Sequence, residues 1–182
     1  MDVKKSGVVS NVFNSSEASK SLNLLFVCTG NTCRSVMAQG LLQKIWSQLP
    51  RKNVELQVSS AGIGAIEGMK ASEEALNVLA EEGIDLRMHS SRKITGDLVE
   101  KADIILVMTR GHKDLLLNLY PQAKEKIWLL NEFAGVNGKD IPDPIGMGLE
   151  FYRRVAAEIK KAVEKIVEKL NDLNNVEKKT GT

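Results

Sequence analysis

Four apolar runs punctuate the chain, Leu24–Val27, Val54–Val58, Ile104–Met108 and Ile127–Leu130, each of strand length. Between and after them, apolar residues recur every three or four positions, predicting helices near 34–48, 71–83, 110–119 and 148–170. Strands alternating with helices form a parallel sheet joined by right-handed crossovers. The expected fold is a single-domain α/β three-layer sandwich, with a four-stranded parallel sheet in the order 2-1-3-4 flanked by helices. That order puts the end of the first strand at a topological switch point, the usual place for a ligand cleft in an open α/β sheet. The last helix carries Phe151, Val155, Ile159, Val163, Ile166 and Leu170 on one stripe, with Arg153, Arg154, Lys160, Lys161, Glu164 and Lys165 largely elsewhere. Such a helix packs its stripe on a sheet.

The 182 residues, 43% of them hydrophobic, suffice for one well-buried domain and not for two of ordinary size. The expected division is a flexible leader over 1–22, rich in Ser, Asn and Lys, a domain over 23–171 and a polar tail over 172–182. The leader lacks a long apolar run and a small-residue cleavage site, which argues against secretion. No segment approaches the ~20 apolar residues of a membrane span, and two closely spaced cysteines fit a reducing cytoplasm. A net charge of +2, with no aromatic-interleaved basic stripe, gives little attraction to nucleic acid. A cytoplasmic monomer without a nucleic-acid or membrane role is expected.

The chemistry is concentrated in Cys28-Thr29-Gly30-Asn31-Thr32-Cys33-Arg34-Ser35, which lies where the first strand feeds the first helix. Backbone N–H groups in such a loop form an anion-binding concavity, and the helix behind it adds roughly half a positive charge. The same field favours the thiolate form of Cys28, the form that attacks. Gly30 is expected to ease a sharp turn, and Asn31 tolerates a left-handed backbone. Arg34 offers a planar fork for two phosphoryl oxygens, and Ser35 can donate to the sulfur as it leaves. The plainer alternative makes Cys28 and Cys33 small buried hydrophobes and Arg34 a solvated charge. Two cysteines five apart and two distant histidines do not make a metal site. No cofactor is expected. The nucleotide P-loop pattern fails for want of its lysine.

The Cys-x5-Arg-Ser signature near the N-terminus resembles that of the low-molecular-weight protein tyrosine phosphatases. Val58-Ser59-Ser60-Ala61-Gly62, Met88-His89-Ser90-Ser91-Arg92 and Asp143-Pro144 resemble further segments of that family, and the likeness runs from about Asn23 to Leu170. Thr32, and Ile145-Gly146-Met147-Gly148 after Asp143, depart from the tyrosine-specific pattern and resemble the bacterial protein arginine phosphatase branch. The resemblance implies a phosphatase acting on phosphorylated proteins, with Cys28 as nucleophile, Arg34 as clamp and Asp143 as acid, then base. It implies that Asn31, Ser35, Ser60 and His89 form a hydrogen-bonded scaffold behind the loop. Phosphoarginine is the expected substrate, since a small polar Thr32 leaves room for a guanidinium, and phosphotyrosine is the alternative. Two other readings stay open: a non-catalytic phosphoprotein-binding module, and Asp143 as part of a mere turn, with Asp140 the nearest substitute. Thioredoxin-coupled arsenate reductases share the fold and a similar loop, but need more cysteines than the two present. Cys33 either closes a protective disulfide with Cys28 under peroxide or lines the back of the loop as a buried thiol.

Overall fold

The structure, a computed structural model, describes residues 20–50 and 54–176. Four parallel strands, β1 (Lys20–Cys28), β2 (Val54–Gly62), β3 (Ile104–Val107) and β4 (Ile127–Leu129), lie in the order β2-β1-β3-β4. Helices α1 (Arg34–Ser47), α2 (Glu73–Glu81), α3 (Gly96–Lys101), α4 (Arg110–Leu119), α5 (Leu130–Ala134) and α6 (Leu149–Val176) connect and cover them, with a 3-10 turn at Pro121–Lys126. The three-layer α/β sandwich expected from the alternation of elements is therefore present, sheet order included.

Side chains alternate across a strand, and here the alternation divides the core. Leu22, Leu24, Phe26, Ile104 and Leu106 face α1 and α6, while Leu25, Val27, Ile105 and Val107 face the side of α4 with Leu116. Both faces are buried along Leu24–Val27 of β1 and along β3, so these stretches read as continuous apolar runs. Each large side chain sealed in this way contributes about 1.5–3 kcal/mol.

Several boundaries differ from the expected ones. β1 begins at Lys20 and Leu22 is fully buried, so the last three residues of the expected 1–22 leader belong to the sheet. The rest of that leader lies outside the described residues. At the other end, α6 continues to Val176, through the first part of the expected 172–182 tail. β2 extends past Val58 to Gly62 because backbone pairing along β1, from Lys20 with Val54 to Cys28 with Gly62, carries the polar Ser59 and Ser60 into the sheet. Leu130 starts a helix instead of ending β4, and Met108 lies just past β3. In α6 the inward stripe takes Tyr152, 2% exposed, in place of Phe151, which is partly buried. Spacings of three and four from Tyr152 to Val155, Ile159 and Val163 fit the 3.6-residue turn more evenly.

Candidate active site

β1 ends at Cys28 and α1 begins at Arg34, so the five residues between them form a tight loop on the sheet's carboxyl edge. Cys33, the residue before α1, supplies no side-chain cap, which leaves the first N–H groups of the helix for other acceptors. The loop curls at Asn31, whose φ of 56° makes it the one non-glycine residue in the left-handed region among the described residues. Gly30 does not share that conformation, and a Cβ there would meet only Thr32 Oγ1, at 3.5 Å. The turn expected of Gly30 is made by Asn31 alone.

Asn31 holds its strained backbone through contacts on every side. Its Nδ2 donates to Ser35 Oγ at 3.0 Å and Ser60 Oγ at 2.9 Å, and its Oδ1 accepts from Arg92 N at 3.0 Å. His89 Nε2 lies 2.8 Å from the Asn31 carbonyl, which can only accept, so that nitrogen carries the hydrogen. Ser60 Oγ in turn donates to Gln39 Oε1 at 2.6 Å, and Arg92 Nε donates to the Ser60 carbonyl at 2.9 Å. Asn31, Ser35 and Ser60 are buried, so each bond replaces water that cannot reach them. The structure brings the four expected scaffold residues together and adds Arg92 and Gln39.

Cys28 Sγ sits at the floor, 3% exposed as a residue, 3.0 Å from Ser35 Oγ and accepting Asn31 N–H at 3.3 Å. Arg34 is equally buried, and its guanidinium joins three elements. Nη1 donates to the Ile141 carbonyl at 3.1 Å, and Nη2 donates to Thr29 Oγ1 at 3.4 Å and Asp143 Oδ2 at 2.5 Å. Asp143 is placed by its own Oδ1, which accepts Ile145 N–H at 3.2 Å, and by Ile141 N–H donating to the Met108 carbonyl at 2.8 Å. Its side chain stays 44% exposed, reachable from solvent. Asp140 instead accepts Arg110 N–H at 3.0 Å at the start of α4.

Cys33 Sγ donates to Ser72 Oγ at 3.3 Å and lies 3.3 Å from Tyr152 Oη and 3.5 Å from Thr32 Oγ1. Burial, then the contact with Cys33, push the Tyr152 hydroxyl up to about 12, so it is protonated at neutral pH. Both cysteines are free thiols, and a bond between them requires Cys33 to leave Ser72 and Tyr152. The Thr32 carbonyl accepts Ser72 N–H at 3.0 Å, pinning the loop to the residue that caps α2.

Two residues that the sequence did not reveal complete the site. Gly62 pairs with Cys28 across the sheet, and a Cβ on it would lie 2.6 Å from the Thr29 carbonyl oxygen and 2.8 Å from Asn31 N. His112, three residues after the α4 cap Thr109, places Nε2 2.9 Å from Thr29 Oγ1. Its signal was the Thr-x-x-His spacing, which puts the ring in the first turn of a capped helix. Burial first and the Arg34 guanidinium second push this imidazole down to about 4, against weaker opposing pulls from Asp143 and Asp140. The folded value lies below the unfolded one of about 6.5, so the unfolded chain takes up this proton first as pH falls. This contribution to stability is therefore intact above about pH 6.5 and is lost progressively towards about pH 4. His112→Gln should flatten that part of the curve, read by urea unfolding at about pH 7 and about pH 5. An unchanged pH dependence in the variant would count against a buried neutral ring.

Among the described residues no cluster of three His, Cys, Asp or Glu could hold a metal ion, and no helix is long and apolar enough to cross a membrane.

The family described as low molecular weight phosphotyrosine protein phosphatase matches residues 23–177. The chain is 42% identical over 147 residues to a protein-arginine-phosphatase of Geobacillus stearothermophilus, covering 81% of this chain and 95% of that one. The solved YwlE arginine phosphatase from Geobacillus stearothermophilus is similar in fold, with a TM-score of 0.76 at 40% identity, covering 83% of this chain and 94% of that one. A cysteine-to-serine mutant of a YwlE arginine phosphatase, solved with its active-site serine phosphorylated, has a TM-score of 0.77 at 32% identity and covers 82% and 96%.

Proposed function

Because the chain belongs to the low molecular weight phosphotyrosine protein phosphatase family, we propose that it removes phosphate from arginine side chains of proteins through a cysteinyl-phosphate intermediate. One observation supports this above the rest. Attacking atom, clamp and acid come from one loop and the segment docked on it: Cys28 Sγ is held by Ser35 and the Asn31 amide, and Arg34, next to Ser35, reaches Asp143 directly.

Cys28 Sγ attacks phosphorus in line, and the bond from phosphorus to the guanidine nitrogen breaks. Asp143, protonated, gives its hydrogen to that nitrogen, which leaves as an arginine side chain. Arg34 and the inward amides of Thr29 to Ser35 take up the charge that builds on the equatorial oxygens. Asp143, now a carboxylate, removes a proton from the water that attacks the cysteinyl phosphate, and orthophosphate departs. Ser35 donates to the sulfur as it leaves. No metal or cofactor takes part. The protein acts in the cytoplasm on phosphorylated proteins and works as a monomer.

Thr32 selects the substrate, since its short polar side chain leaves room beside the loop for a flat guanidinium, where a larger aliphatic wall would favour a phenyl ring. The family description, which names phosphotyrosine, favours the aryl ester as the second reading. Initial rates on phosphoarginine and phosphotyrosine peptides separate them. The wild type should prefer phosphoarginine, and Thr32→Ile should move the ratio towards the aryl ester by about tenfold or more, the usual worth of one or two pocket methylenes. A ratio unmoved by the substitution would remove Thr32 from this role.

A further inference from the structure

Thr29 stands at the exposed mouth of the loop, and its hydroxyl oxygen has two protein neighbours. Arg34 Nη2 donates to it at 3.4 Å, and His112 Nε2 lies 2.9 Å away. A threonine hydroxyl has two lone pairs and one hydrogen, and an arginine only donates, so one lone pair is already taken. What His112 does with Thr29 depends on which ring nitrogen carries its hydrogen. The other nitrogen decides. His112 Nδ1 is buried with no partner. A buried N–H left without an acceptor is rarer in folded proteins than a buried lone pair left without a donor. The hydrogen therefore sits on Nε2 and points at Thr29 Oγ1.

With both lone pairs filled, by Arg34 and by His112, the single hydroxyl hydrogen of Thr29 has to point elsewhere. The opposite tautomer would draw that hydrogen to Nε2. His112 is itself fixed, because its backbone N–H donates to Thr109 Oγ1 at 3.1 Å, the cap of α4.

We propose that His112 is a positioning residue which makes Thr29 a committed hydrogen-bond donor to the phosphoryl oxygens of the substrate. The proposal rests on the reading of the Cys28 loop as a phosphoryl-transfer site and deepens it. The added donor strengthens as charge develops on those oxygens, so it acts on turnover more than on binding.

Steady-state kinetics of three variants on a phosphoarginine peptide and on an aryl phosphate provide the test. His112→Phe keeps a ring and removes Nε2–H, Thr29→Val keeps the shape and removes the hydroxyl, and His112→Gln offers an amide N–H near the same place. His112→Phe and Thr29→Val should each lower kcat about tenfold while KM moves less than about threefold. The double variant should be no slower than either single one, because both remove the same donor. His112→Gln should recover most of the loss. The proposal is overturned by a His112→Phe rate within about twofold of wild type, by losses that multiply in the double variant, or by a His112→Gln no better than His112→Phe. If thermal melting shows His112→Phe to be poorly folded, Thr29→Val, at an exposed position, decides: a kcat within about twofold of wild type rejects the idea. A wild-type chain that releases no phosphate overturns both this proposal and the function it rests on, whereas an active wild type with insensitive variants overturns this one alone.

Discussion

Cys28→Ser should lower phosphate release by about 10⁴-fold or more while leaving binding of inorganic phosphate nearly intact. A hydroxyl at this position is far less nucleophilic than a thiolate, yet it occupies nearly the same volume and can keep the hydrogen bonds that Sγ makes with Ser35 and Asn31 N. The cup proposed to grip the anion consists of backbone amides and Arg34, and the substitution alters none of these groups chemically. Whatever slow attack remains should leave the phosphoryl group on position 28, because an oxygen ester gives up phosphate less readily than a sulfur one. Mass spectrometry after incubation with phosphoarginine protein would find that addition. A variant that still turns over within about tenfold of wild type would exclude covalent catalysis through this residue. If the wild type itself bound phosphoprotein and released nothing, the chain would be a binding module.

Gly62→Ala should be the most damaging substitution outside the loop itself. Gly62 N–H donates to the Arg92 carbonyl and its carbonyl accepts Ile94 N–H, both at 2.9 Å, so its backbone is held from one side. From the other, the Thr29 carbonyl, Asn31 N and Ala65 Cβ all come within 3.0 Å of where a methyl would go. Two of those atoms are backbone and cannot rotate away. Overpacking of this kind costs about 2–3 kcal/mol, which for a chain of this size lowers Tm by roughly 4–12 °C. Because the atoms displaced belong to Thr29 and Asn31, turnover should fall with stability, by about 100-fold. Gly30→Ala is the matched control, with room for its methyl and a Tm expected within about a degree of wild type. Equal melting temperatures for the two variants would mean that the close approach at Gly62 is not a real constraint.

How much of this was readable from the sequence follows the range of the forces involved. Leu24–Val27 of β1 and the whole of β3, buried on both faces, announce themselves as unbroken apolar runs, and the loop from Cys28 to Ser35 does so through its residue types. Asp143 could be singled out because two prolines frame it. The continuation of β2 through Ser59 and Ser60 was not legible, since the ladder with β1 and not side-chain hydrophobicity keeps it extended. α3 and α5, at six and five residues, are too short to show a helical period. Gly62 and His112 acquire meaning only when sheet pairing and the start of α4 bring them to the loop, separations of 33 and 83 residues from Thr29. Asn31 is the complementary case, since its tolerance of a left-handed backbone was legible from its residue type and its partners were not. At its φ of 56° the side chain of Asn31 finds three partners, Ser35, Ser60 and Arg92, that a glycine could not.

The ion pair between Arg34 and Asp143 bears on how the protein parts with its product. Orthophosphate held through Nη2 has to share that nitrogen with the Asp143 side chain already resting on it. Once Asp143 has released the proton it takes up in hydrolysis, its carboxylate should compete with the departing anion for Nη2 and hasten the emptying of a strong anion trap.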